Sequence, residues 1–145
     1  MNSATLRMNQ YTVPLRGGSP DETATIEISQ NNSKCHVAVS CRGRGYDGEA
    51  PDYFAAFVQV RQQLEAEGLI PVCYGASMDV YPSGMCRDMG AGIKAYKLAI
   101  GSSPERTDLR HIFDTGPDVQ PSTVADQLAY FERWLNPPKR RRGRH

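Results

Sequence analysis

Between Tyr11 and Cys41 the chain alternates apolar and polar residues in three consecutive runs, each parted from the next by turn-forming residues. Tyr11, Val13 and Leu15 alternate with Thr12 and Pro14. Ala24, Ile26 and Ile28 alternate with Thr23, Thr25 and Glu27, and Cys35, Val37, Val39 and Cys41 with His36, Ala38 and Ser40. A two-residue period marks strands with one buried face. Gly17 to Asp21 form the first turn, and the tight Asn31-Asn32 turn makes the second and third runs a β-hairpin. Pro14 has no N–H for a ladder, so the first strand is expected at an edge or a bulge.

The rest of the chain divides by punctuation. Residues 42–50, RGRGYDGEA, read as a glycine-rich connection. Pro51 suits the first turn of a helix, and Phe54, Phe57, Val58 and Leu64 recur at helical spacing up to Gly68, which predicts a helix over Pro51–Glu67. Leu69–Tyr74 returns to strand character, and Gly75–Gly92 is expected as one long loop. A strand is expected over Ile93–Ile100, with Tyr96, Leu98 and Ile100 on its apolar side. Ser102–Thr107 then make a polar turn, His111–Asp114 a short strand and Thr115–Pro121 a loop. Ser122 is placed to N-cap a second helix whose stripe is Val124, Leu128, Phe131, Trp134 and Leu135, ended by Asn136-Pro137-Pro138. This order predicts an α+β fold, a mostly antiparallel sheet with two helices packed on one face.

With 145 residues, 39% hydrophobic and 23% charged, the chain suits a single α+β domain over residues 1–138. Five of the 17 basic residues lie in the last seven positions, so residues 139–145 read as a disordered basic tail, dispensable for folding. The remainder holds twelve basic against sixteen acidic residues, which gives no basic face for a polynucleotide; any nucleic-acid contact falls to the tail. No apolar run has the length of a membrane span, and MNSATLRMNQYT lacks the apolar middle of a signal peptide, so a cytoplasmic location without membrane contact is expected. In that setting Cys35, Cys41, Cys73 and Cys86 are expected as free, mostly buried thiols, and their spacing lacks the pairs of a zinc site.

Long ordered loops in small domains often carry function. Gly75–Gly92 holds Asp79, Tyr81, Cys86, Arg87 and Asp88 together with Met78, Met85 and Met89, whose thioether side chains adapt to a partner surface. On one reading the methionines fold back on the core and the glycines only shape the loop. On the other, Asp79, Tyr81, Arg87, Asp88 and Met89 form an exposed partner-binding surface. An enzymatic reading would pair Cys86 with His111, but no nucleophile motif surrounds either. Gly90-Ala91-Gly92 precedes a strand instead of a helix, so no phosphate cradle is expected. Asp47, Glu49 and Asp52 suit a helix N-terminus through its dipole alone. No catalytic residue, metal or cofactor is expected.

The runs VPLRGGSPDETATIEI (Val13–Ile28), FVQVRQQLEAEGLIPVCYGASMDVYPSGMCRDMGAGIKAYKL (Phe57–Leu98) and FDTGPDVQPSTVADQLAYFERWL (Phe113–Leu135) together resemble small bacterial immunity proteins encoded beside polymorphic-toxin genes. The closest likeness is in VYPSGM, RDMG and KAY, between Val80 and Tyr96. The resemblance implies a non-enzymatic cytoplasmic domain that neutralises a cognate toxin by direct binding. An acidic body would suit a basic toxin. A small enzyme using Cys86 and His111, or an RNA-binding accessory protein using its basic tail, are the competing readings.

Overall fold

The computed structural model describes residues 9–137. Its first half is an antiparallel meander of β1 (Asn9–Arg16), β2 (Thr23–Asn31), β3 (Lys34–Cys41) and β4 (Arg44–Ala50). The register sets Tyr11, Ile26, Val39 and Tyr46 in one row across the sheet, so the alternation of each strand falls on the same face. Val13, Ile26, Val37 and Val39 are fully or almost fully buried there.

β4 replaces the expected connection at 42–50. Its alternation is Tyr46, Gly48, Ala50 inward and Asp47, Glu49 outward, and glycines hide it from a hydrophobicity pattern. Arg42 (φ 55°) and Gly43 (φ 71°) form the left-handed two-residue turn that suits strand twist. Gly48 has a different cause, because a Cβ there would collide with the backbone oxygen of Ala56 on the helix that follows.

That helix, α1 (Tyr53–Glu65), is shorter than Pro51–Glu67 because Asp52 caps it, its Oδ1 accepting the Ala55 N–H at 2.8 Å. Phe54, Ala56, Phe57, Val60 and Leu64 are buried along it. Gly68 (φ 77°) turns the chain into β5 (Ile70–Pro71), all that forms of the strand expected over Leu69–Tyr74. β5 pairs with the end of β1, giving the order β4-β3-β2-β1-β5. Pro14 is accommodated at this join. The Leu15 N–H points to β2 and donates to Glu22, so the Pro14 nitrogen faces the opposite side, where its carbonyl accepts the Val72 N–H at 2.8 Å.

A second antiparallel sheet, absent from the sequence reading, has the order β6 (Val80–Tyr81), β7 (Lys94–Lys97), β8 (Leu109–His111). Both later strands are shorter than expected, and on β7 it is Ala95, fully buried, that faces the core; of the expected apolar side Leu98 is buried just beyond the strand, Tyr96 is half-buried and Ile100 is exposed. The long loop is not a loop throughout: it contains a 3-10 turn at Tyr74–Ala76, β6, and a short helix α2 (Gly84–Gly90). With α3 (Val124–Leu135), capped by Thr123 and not Ser122, there are three α-helices among the described residues, which corrects the expectation of two on one face. One side of α1 packs on β3 and β4; its other side meets the second half through Phe54 on Tyr81, Phe57 on Phe113 and Arg61 on Gln127. No helix of the described residues is long and apolar enough to cross a membrane. The basic segment 139–145 lies outside the described residues.

Candidate functional site

Helix α2 stands on a clamp built from the start of α1. Ser83 caps α2 by accepting the Cys86 N–H at 3.0 Å, and Arg87, one turn on, reaches back to Asp52, its Nη1 lying 3.2 and 3.0 Å from the two carboxylate oxygens. Asp52 therefore serves two helices at once. The Arg87 guanidinium also lies over the rings of Phe54 (5.4 Å) and Tyr81 (5.7 Å), and the Ala91 carbonyl at the end of α2 accepts the Tyr53 N–H at 2.7 Å. Ion pairing, cation–π contact and a backbone bond together hold α2 in one orientation.

Tyr81 belongs to the same construction. Its ring stacks on Phe131 of α3 at 4.0 Å and meets Phe54 edge-on at 5.1 Å. Tyr81 and Arg87 are thus half-buried supports, not the freely exposed anchors expected from the sequence. Exposure belongs to the other side of α2, where Met85 and Met89, four residues apart, are 70% and 80% accessible and Asp88 is exposed with them. Beside Tyr81 a shallow cavity of about 70 Å³ runs between β7 and α3, lined by Tyr96, Leu98, Pro104, Phe131 and Trp134.

Asp79 corrects the expectation most sharply, for it is only 4% exposed. Its carboxylate accepts from Ser77 Oγ (2.8 Å), Lys97 Nζ (2.5 Å) and Gln120 Nε2 (3.3 Å), tying the approach to β6 onto β7 and the chain before α3. The hydrogen bond and charge of Asp79 raise the Lys97 pKa, which keeps this ammonium protonated and unsuited to nucleophilic chemistry.

Cys86 and His111 are not joined. His111 bonds to Tyr11 and to the Phe113 N–H, and Cys86 is a half-buried free thiol on α2. The other three cysteines are buried; burial raises the pKa of Cys35 and Cys41 and pushes Cys73 up to about 12. Among the described residues no group of three or more His, Cys, Asp or Glu side chains is placed to hold a metal ion. Asp47 and Glu49 lie on the exposed face of β4, so of the acidic trio only Asp52 caps the helix.

A further pair of residues escaped the sequence reading. Arg61 is fully buried, donating from Nη1 to the Gly75 carbonyl and Gln127 Oε1 (2.6 Å) and from Nη2 to the Ser122 carbonyl, with no carboxylate among these partners. Burial lowers its pKa to about 10, so it stays charged at neutral pH. Gln127 donates in turn to the carbonyls of Gly75, Ser77 and Val80. Gln127 is the buried residue of α3, whereas Leu128 (42%) and Leu135 (52%) of the expected stripe are exposed. The only sequence signal was a polar residue at the helical spacing of Phe131 and Trp134. No protein-family model matches the chain, and no curated protein matches it.

Proposed function

We propose that this chain is a non-enzymatic, cytoplasmic protein-binding domain of the immunity type, which neutralises a basic bacterial toxin through the exposed side of α2. The observation that carries this reading is the presentation of Met85 and Met89: two large apolar side chains, 70% and 80% accessible, on a short helix held by Asp52, Phe54, Tyr81 and Arg87. Exposed apolar groups mark interaction surfaces, and a helix fixed beforehand loses little entropy on binding. Residues 9–137 carry sixteen acidic and eleven basic residues, the balance that attracts a basic partner. Asp88, Met89 and Met85 make the contact in this scheme, with Tyr81 and Arg87 positioning the helix beneath and Asp79 anchoring the chain that leads into β6.

The test is titration of the chain with the product of the adjoining gene, where a saturable 1:1 complex that inhibits that protein is the expected result. The competing enzymatic reading requires turnover that Cys86→Ala or His111→Ala abolishes. Catalytic turnover of that kind without a stoichiometric complex would overturn the proposal.

A further inference from the structure

We propose that His111 fastens the turn after β8 only while its ring is neutral, and that its protonation in mildly acidic solution releases that turn while the contact of the ring with β1 is kept. The hydrogen bonds define the tautomer. Nδ1 accepts the Phe113 N–H at 3.2 Å, and a ring nitrogen that accepts carries no proton. The single proton of the neutral ring therefore sits on Nε2, 3.3 Å from the Tyr11 hydroxyl on β1, to which it donates. A second proton would enter at Nδ1 and set two N–H groups against each other, so the Phe113 bond would be lost while Nε2 goes on donating to Tyr11.

That bond matters because the segment after β8 holds several parts together. Phe113 packs edge-on against Phe57 of α1 at 5.0 Å, while Ile112 and Asp114 accept the N–H groups of Gly75 and Tyr74 at 2.7 and 2.9 Å. Tyr11, His111 and Phe113 form an aromatic trio with ring separations of 5.1 to 6.0 Å, which brings β1 of the large sheet against β8 of the small one.

The groups around the ring are mixed in sign. Lys94 on β7 is the strand partner of His111 and opposes a positive charge, Asp114 just beyond β8 favours one, and Tyr11 on β1 and Tyr53 on α1, itself close to Tyr11, are neutral phenols. Burial outweighs these and lowers the His111 pKa from its ordinary 6.5. The sign follows. The unfolded chain takes up a proton before the folded one does, so this contribution is intact above about pH 6.5 and is lost as acidity increases toward the folded pKa.

Proton NMR titration of the full chain, with amide exchange of Phe113 expressed as a protection factor, tests this. The expected result is a fall in Phe113 protection of about tenfold or more as the pH is lowered from about 7 through the midpoint of the His111 ring signals. His111→Asn supplies an oxygen where Nδ1 stood and cannot titrate, so its Phe113 protection should stay level over that range. Constant Phe113 protection in the unaltered chain while His111 titrates would overturn the proposal, as would His111 titrating above its ordinary value. Either outcome is read without the variant. The same acid step persisting in His111→Asn would also overturn it, by assigning the step to another group.

Discussion

At the scale of single residues, stability at the heart of the second half depends on polar groups that have exchanged water for one another. Gln127 and Arg61 close a set of five hydrogen bonds to buried carbonyls among α1, the Tyr74–Ala76 turn, β6 and α3, and a sixth joins them to each other. Breaking such a set is costlier than its making is favourable, since each buried group left unpaired retains its desolvation penalty. Gln127→Ala is therefore expected to lower the unfolding free energy by about 3 kcal/mol or more, visible as a shifted urea midpoint; a change within about 0.5 kcal/mol would show that the network is not a support. The thiols offer a second check. Cys86 should react with an aromatic disulfide reagent in the folded chain, while Cys35, Cys41 and Cys73 should wait for unfolding; four equally fast thiols would contradict the burial described. These residues explain why the site was only half legible. The segment 79–89 drew notice through its chemistry, but polar side chains give no sign in sequence of whether they face water or each other. Apart from the Ser77 hydroxyl, the side chains and carbonyls that bury Asp79 and Gln127 lie 18 to 66 positions away.

At the scale of elements, legibility followed the strength of local periodicity. β1, β2, β3 and α1 have long apolar repeats and form close to where the pattern places them. β4 was missed because its inward position 48 is a glycine, and that glycine is there to admit α1. Gly48→Ala should force the helix off the sheet at Ala56 and cost about 2–3 kcal/mol; an unchanged thermal midpoint would refute that packing. The outer edge of β4 is closed by α1 as well. Gln59 accepts the Glu49 N–H and donates to its carbonyl, and Gln63 donates to the Asp47 carbonyl, so side-chain amides stand where a further strand would bond. This blocks the edge-to-edge association that an open strand invites. The strands expected over Ile93–Ile100 and His111–Asp114 overlap β7 and β8, but the two-residue β6 carries too few positions to show alternation, and nothing local to these short strands tells that they form a sheet of their own.

At the scale of the whole molecule, α1 is the shared wall, with the large sheet on one side and the small sheet and α3 on the other, and α2 is fixed at its N-terminal end. The arrangement separates two roles within one short segment: Tyr81 and Arg87 hold the helix in place, Asp79 ties the approach to β6 onto β7, and Met85, Asp88 and Met89 are left at the surface. The proposed binding surface therefore makes opposite forecasts for neighbouring positions. Truncating Tyr81 should destabilise the domain, because it removes the stack on Phe131 and the edge contact with Phe54, whereas truncating the methionines should leave folding unchanged. The most direct measurement is the Kd of the double variant Met85→Ser, Met89→Ser for the product of the adjoining gene, the partner proposed above, taken together with its urea midpoint. An affinity weakened by about 30-fold or more, equivalent to about 2 kcal/mol, at an unchanged midpoint is the predicted result. Unaltered affinity at that midpoint would contradict the assignment of α2 as the binding surface.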